Sequence, residues 1–445
     1  MDEPLLSVGI VSGPSLRCTF PTAYRIRGHE RQLTGAYAAT LAGHSIILEG
    51  PDGRFESLRE VILEPLQPDS PFVLHDVTIG LRFHWERKRE ERFFGTLKLL
   101  ADGDTITAIN IIPVEEYLSS VISSEMSASS SLNLLKAHAI SSRSWLLAQL
   151  KRSRTNPRPT GEPRTRIEDS DQHIRWYDRE DHLSFDVCAD DHCQRYHGVT
   201  MDYHPAVRQA IRETRGQALL HEGSLCDTRF SKSCGGVSEL FENVWEPVHH
   251  PYLTPVVDAP ARPEGYSFDL TREEAAAHWI QTTPPAFCNT QDPAVLSQVL
   301  LDYDRETQDF YRWTVRYAQE EVAAIIREKS GMDFGQIAAL RPVARGSSGR
   351  IMKLTIVGTQ RSLTIGKELE IRKTLSRSHL YSSAFVVSIR RTGNNLPDEF
   401  ILKGAGWGHG VGMCQIGAAV MGEQGYSYDR ILNHYFTGTA IQRLY

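Results

Sequence analysis

Glu125 is the residue of this chain best suited to acid–base chemistry, because its neighbours predict an apolar side chain there. The stretch VEEYLSSVISSEM, residues 114–126, spaces Val114, Tyr117, Leu118, Val121 and Ile122 as one apolar helical stripe. Glu125 follows Val114 by eleven residues, close to a whole number of turns, and so points along the same stripe. A carboxylate aimed inward loses hydration and tends to keep its proton, as a general acid must near neutral pH. The helix dipole disfavours it as well, since Glu125 falls at the C-terminal end. Glu115 and Glu116 lie in the first turn, suit that dipole, and read as structural. On a second helical stretch, LNLLKAHAISSRSWLLAQL, Lys136 and Arg143 share a face. Turned toward Glu125, both cations would bind substrate oxygens or set the carboxylate's pKa; turned outward, they would be ordinary solvated charges.

Residues 181–198, DHLSFDVCADDHCQRYHG, are dense in metal-ligand types. Cys188, His192 and Cys193 fall within six residues, with His182 before them and His197 after. The spacing is not that of a standard zinc finger, but two thiols and an imidazole this close suit zinc. The plain alternative is a pair of buried free thiols. A straight strand from His182 to Cys188 would span roughly 20 Å, too far for one ion. Either the chain bends there, or His197, Cys226 or Cys234 takes the place of His182. Further on, GAGWGHGVGMCQIGA (404–418) carries His409 and Gln415 on a glycine-rich loop that lets backbone N–H groups and one imidazole approach a ligand. The turn FSKSCGG (230–236) presents Ser231 and Ser233 in the same way. The loop is neither a Walker A motif nor a dinucleotide fingerprint, and a serine hydrolase lacks its GxSxG elbow.

These groups require elements to hold them. Residues 5–112 read as short strands (SVGIV, YAATLAG, SIILEG, VTIGLRFHW, TITAINII) separated by Gly, Asp or Pro. Pro113 opens the helix that ends at Glu125, and Ser129, Ser130 and Ser131 offer N-caps for the second helix, giving a hairpin over about 114–150. KRSRTNPRPTGEPRTR (151–166) has six basic residues and three prolines and reads as a surface loop, or as a basic flap over an anionic polymer. Residues 182–260 return to short strands and turns, 270–330 contain charge-mixed helices, and 350–390 alternate like antiparallel strands. The class is α+β, with short antiparallel sheets, a helical hairpin and an additional helical lobe. The divisions predicted are 1–112, 113–260, 261–345 and 346–445.

The 445-residue chain has a formal charge of −6, so it is not built as a whole to hold polyanions, and no nucleic-acid partner is expected. It has no apolar run long enough to span a membrane and no recognisable secretory signal. Seven cysteines in a chain this long do not form a disulfide scaffold, and the odd count leaves at least one thiol without an intrachain bridge.

In order along the chain, IPVEEYLSSVISSEM, LKAHAISSRSW, ETRGQALLHEGSLCDTRFSKSCGGVSE, NVWEPVHHPYLTPVVD, RKTLSRSHLYSSAF, GWGHGVGMCQIGA and NHYFTGT resemble the blocks of the SpoIID/LytB domain family of peptidoglycan-acting bacterial proteins. The resemblance implies a lytic transglycosylase that cuts MurNAc–GlcNAc bonds and leaves 1,6-anhydro ends, with Glu125 as its single acid/base. It implies substrate binding by Lys136, Arg143, Ser231, Ser233, Gly235, His409 and Gln415. It also implies a structural zinc on His182, Cys188, His192 and Cys193. Some relatives are described as enhancers of wall amidases, so the second reading is a glycan-binding enhancer that cuts nothing. A third, a hydrolase using the Cys/His metal, predicts activity lost on chelation with the fold intact. Glycan strands, and an amidase in the second reading, are the partners implied, and the periplasm or cell wall the location. The chain departs from the family pattern at Ser127, where Pro is usual, at Cys414, where Ser is usual, and at Cys234, a small-residue position.

Overall fold

The computed structural model describes residues 2–79, 87–126, 130–155, 165–177, 181–190, 192–199, 204–300, 309–393 and 396–445. These fall into two compact units: Met1–Thr160, Glu180–Ala218 and Gln442–Tyr445 form one, Gly161–Arg179 and Leu219–Ile441 the other. The class is α+β, as the sequence predicts.

The first unit opens with β1 (Leu5–Gly13), β2 (Ser15–Ile26), β3 (Gln32–Ala42), β4 (Ser45–Gly50), β5 (Gly53–Leu58), β6 (Glu60–Pro65), β7 (Phe72–Ile79), β8 (Arg87–Phe93), β9 (Thr96–Asp102) and β10 (Thr105–Pro113). Period-two burial sets their register. Along β2, Leu16, Cys18, Phe20, Tyr24 and Ile26 are buried, while Ser15, Arg17 and Arg25 are exposed. All pairings among these ten strands are antiparallel; β1 also takes the short strand Val187–Cys188 in parallel, Val8 opposite Val187 and Gly9 opposite Cys188. An aromatic column runs through the core. Phe20 meets Tyr24 at 4.8 Å, Phe72 stacks on Phe93 at 5.5 Å, and Phe93 meets Tyr196 at 5.7 Å.

Pro113 sits at the N-cap of α1 (Val114–Glu125), and the Ser131 hydroxyl accepts the Leu134 N–H to cap α2 (Leu132–Thr155). Two expectations change here. α1 is buried at nearly every position except Glu116, not along one stripe, because Ser119, Ser120, Ser123 and Ser124 are small enough to pack inward. Ser119 and Ser123 donate their hydroxyls to carbonyls four residues back, so those polar groups are satisfied without water. And α2 runs on through KRSRT to Thr155: no proline intervenes before Pro157, and Arg152 and Arg154 suit its C-terminal dipole. Most of the basic stretch expected as a loop or flap, 156–164, lies outside the described residues. α3 (Pro205–Glu213) packs beside the hairpin.

The second unit holds smaller sheets. Strands Ile337–Arg345, Ile351–Gly358 and Ser362–Gly366 pair antiparallel, and Gln172–Arg175 joins the last in parallel. Strand Glu399–Ala405 lies between Arg312–Ala318 and Phe385–Arg390. Helices α4 (Glu273–Gln281), α5 (Pro293–Val299), α6 (Gln319–Ser330), α7 (Glu368–Thr374), α8 (Gln415–Glu423) and α9 (Tyr428–Tyr435) complete it. Two segments differ from the sequence reading. VRYA, expected in a helix, ends a strand, and the helix starts at Gln319; ELEIRKT, expected as strand, is α7. In both, tertiary packing of Tyr317 and Ile371 into one buried cluster decides over a local pattern that fits either state. Residues from 261–345 share hydrophobic clusters with residues 351–405: Ala276 and Ile280 pack with Ala384, Val386 and Ala405. None of the described helices is long and apolar enough to cross a membrane.

Candidate active site and metal centre

Glu125 ends α1, half-buried, where the chain turns extended at Met126. Its Oε1 accepts the backbone N–H of Arg195 at 3.1 Å. Three consecutive residues hold that N–H in place. Arg195 faces Glu125; the Tyr196 hydroxyl donates to Asn110 of β10 at 2.6 Å while its ring stacks on Tyr117 of α1 at 5.0 Å; and the His197 N–H donates to Ser120 at 3.2 Å. The acid is therefore set against a segment stitched to both the helix and the sheet.

The two cations predicted to flank Glu125 are engaged elsewhere. Arg143 is fully buried and clasps Glu115, at the opposite end of α1, with Nε at 3.0 Å and Nη2 at 2.5 Å from its two oxygens. Glu115 also accepts the Gly216 N–H and the Tyr445 hydroxyl, so its charge is fully hydrogen-bonded. Ten residues at 1.5 Å rise put this pair about 15 Å along the helix from Glu125. Arg143 is thus a structural residue of the hairpin, and spacing alone could not show which end of α1 it meets. Lys136 forms an ion pair with Glu213 of α3, 2.5 Å long.

The Cys/His stretch does bend. The His182 ring stacks on Phe185 at 4.5 Å, and Phe185 presses on Gly9 of β1 so closely that a Cβ there would overlap its ring. Asp186 then accepts both the N–H and the hydroxyl of Ser7. This fastening brings one ligand atom from each of His182, Cys188, His192 and Cys193 within 4.8 Å of the others. His182 Nε2 lies 3.5 Å from Cys193 Sγ; His192 Nδ1 lies 3.5 Å from Cys193 Sγ and 3.9 Å from Cys188 Sγ. Hydrogen bonding with Cys193, and then with His182 and His192, holds the Cys188 thiol well below its ordinary pKa. Two sulfurs and two imidazoles so gathered form a set that could hold a metal ion, and the donor chemistry suits zinc. His197 is not in the set. Its Nδ1 is 3.9 Å from Glu91, and burial, with Arg195 and Arg89 nearby, pushes its pKa down to about 4. Cys226 and Cys234 belong to the second unit. A cleft of about 490 Å3 beside the cluster is lined by Val77, His182, Cys188, His192 and Arg195.

Ser231, Ser233, Gly235, His409 and Gln415 all lie in the second unit. The turn and the glycine-rich loop are paired: Phe230 and Ser231 run parallel to Met413 and Cys414, and Ser233 exchanges two backbone hydrogen bonds with Trp407. The hydroxyls of Ser231 and Ser233 are buried without a partner among the described residues. Nδ1 of His409 accepts the Val411 N–H at 3.0 Å, so the neutral ring carries its proton on Nε2. Burial and the nearby Arg229 and Arg350 charges push the His409 pKa well below its usual value. The ring meets Trp245 edge-on at 5.2 Å, and Arg229 lies over that indole. Gln415 opens α8 and is buried; the Gly235 carbonyl is taken by Trp279 and Arg312. The sequence reading missed Arg350, which is fully buried and donates to the carbonyls of Cys234 and Gly408, joining turn to loop. Gly410, at φ +75°, leaves room for that guanidinium. A basic residue opening the strand IMKLTIVG was its only trace in the sequence.

Comparison with known proteins matches this division. Residues 102–221, which include α1, α2 and the Cys/His cluster, match the family described as Stage II sporulation protein, and residues 239–412 match a domain of unknown function, DUF8618. Over residues 102–221 the chain is thus similar to the SpoIID family. Among its relatives are an amidase enhancer of Bacillus subtilis, 26% identical over 335 residues, and the stage II sporulation protein D of Bacillus amyloliquefaciens, 23% identical over 336. An uncharacterised protein of Brachyspira hyodysenteriae is 25% identical over 350 residues. The matches cover 73%, 75% and 78% of this chain, and 40% of the enhancer, 75% of the sporulation protein and 72% of the Brachyspira protein.

Proposed function

We propose that this protein acts on the bacterial cell wall as a lytic transglycosylase, with Glu125 as its acid and base. The observation that carries this reading is the carboxylate itself, half-buried at the end of a largely buried helix and held by the Arg195 N–H. Protonated, it gives its proton to the glycosidic oxygen as the bond to the anomeric carbon breaks. The 6-hydroxyl of the same MurNAc then attacks that carbon, and its proton passes to the Glu125 carboxylate, closing the 1,6-anhydro ring. No second carboxylate nucleophile and no activated water is needed, unlike the two-carboxylate glycosidases. Zinc on His182, Cys188, His192 and Cys193 would have four protein ligands and so would be structural, fixing Arg195 two residues after Cys193. The serines, His409 and Gln415 of the second unit are proposed sugar contacts, His409 as a neutral Nε2–H donor.

The second reading, a glycan-binding enhancer of a wall amidase, is favoured by the engagement of Arg143 with Glu115 and not with Glu125, and by the amidase-enhancer relative. Digestion of purified glycan strands, with and without stem peptides, separates the two readings. Mass spectrometry should find anhydro-MurNAc ends with wild type and at least 100-fold less with Glu125→Gln, as expected for loss of a general acid. Wild type giving no such ends on either substrate, while raising a wall amidase's rate equally well as Glu125→Gln, would establish the enhancer.

A further inference from the structure

The second unit contains a cysteine cluster that the proposed reaction does not use. Cys234 follows the Phe230–Ser231 strand, Asp258 lies in the segment before α4, Cys288 lies between α4 and α5, and Cys414 caps α8. Together they span 180 residues of chain, yet one ligand atom from each lies within 4.8 Å of the others, and all four residues are buried. Cys234 Sγ and Cys288 Sγ are 3.7 Å apart. That is far beyond a disulfide bond, and close to the roughly 3.8 Å edge of a tetrahedron with zinc–sulfur bonds of about 2.3 Å. We propose that Cys234, Asp258, Cys288 and Cys414 form a second, closed metal site for a thiophilic divalent ion, zinc by its donor set.

The surroundings are those of an anionic metal centre. A divalent ion with three thiolates and one carboxylate carries a net charge of −2. Backbone N–H groups point at the sulfurs, Gly236 at Cys234 and Cys234 at Cys414. Asp258 is oriented by the Cys288 N–H at 3.0 Å and the Tyr435 hydroxyl at 2.7 Å, the kind of outer contact that fixes a ligand. Residue 417 must be glycine, since a Cβ would come within 2.5 Å of both Asp258 and Tyr435. Two guanidinium groups grip the same turn: Arg350 donates to the Cys234 carbonyl and Arg312 to the Gly235 carbonyl. Neither forms an ion pair with a carboxylate among the described residues; Glu368 and Glu239 act on Arg350 from further off, and an anionic centre would add to them. Its effect is to pin the SCGG turn to the start of α8, and so to hold Ser233 and Gln415 on either side of one ion.

Elemental analysis of the full chain, loaded with zinc under reducing conditions and desalted, tests the site without any activity measurement. Wild type should hold about two zinc ions per chain. Cys188→Ser/Cys193→Ser and Cys234→Ser/Cys414→Ser should each hold about one. Cobalt loaded into the first variant should show thiolate-to-cobalt charge-transfer absorption. Wild type holding no zinc overturns the proposal without reference to any variant's folding, and so does a single zinc that Cys234→Ser/Cys414→Ser retains and Cys188→Ser/Cys193→Ser loses. So does a peptide map of the unreduced protein that shows Cys234 joined to Cys288.

Discussion

The two cysteine clusters are built in opposite ways. His182, Cys188, His192 and Cys193 come from twelve consecutive positions, and His192 remains exposed. Cys234, Asp258, Cys288 and Cys414 come from four distant segments and are sealed inside. In the first, the chain has little regular structure of its own, so an ion would supply what secondary structure does not. In the second, strands and helices already bring the ligands together, and an ion would lock what is formed. A local cluster makes metal a condition of folding; a distributed one makes folding a condition of the metal site.

The largest effect that would break this contrast is metal removal. A brief chelator pulse should strip the first cluster and abolish amide exchange protection across residues 182–197, while the second unit keeps its protection. Structural zinc contributes on the order of 10 kcal/mol in small zinc-dependent domains, so this loss should be complete. A slower second phase, separated by at least about tenfold in rate (1.4 kcal/mol or more in local opening), should release the buried ion. Release of both ions in one phase would abolish the distinction.

Next in size is Arg143→Met. Removing one partner of a buried pair leaves Glu115 uncompensated and should cost about 3–5 kcal/mol in urea unfolding. Because that pair lies away from Glu125, the zinc content should be unchanged. Loss of metal together with stability would mean that the hairpin and the first cluster are one cooperative piece.

A smaller effect comes from His197. Its folded pKa, about 4, is below the unfolded value near 6.5, so the unfolded chain takes up the proton first. The stability is therefore present above pH 6.5 and falls as pH drops toward 4, by at most about 3 kcal/mol. His197→Gln should flatten that fall and keep the zinc, whereas His182→Ala should lose it. The reverse result would exchange the two histidines as ligands.

Tyr435→Phe should do least. It removes one hydrogen bond from Asp258 and should weaken zinc at the second cluster about 10–100-fold in competition with a chelator, leaving the first untouched. No change would show that Asp258 does not need Tyr435 as a ligand.

What the sequence revealed follows the same division. The strands of residues 5–112, the hairpin and the Cys/His cluster were legible because period, capping and ligand spacing are all local signals. The bend at Phe185 was not, since it depends on the glycine opposite it in β1. Lys136 and Arg143 were found as a pair of cations on one face, but their partners depend on how α1, α2 and α3 meet. The second cluster was visible only as two departures from a family pattern, Cys234 and Cys414. Neither Asp258 nor Cys288 carries any sign of it in its own neighbourhood, because only tertiary structure joins the four segments.

The shell around Glu115 has a further consequence, in time. Its arginine lies 28 residues downstream, its amide 101 and its tyrosine 330. At ribosomal rates of about 5–20 residues per second, Tyr445 is made between about 15 s and a minute after Glu115. Until then the hairpin that carries Glu125 has its ion pair but lacks the hydroxyl that completes it. The whole second unit is synthesised in that interval, so the helix that ends in the acid is finished only after that unit has been made.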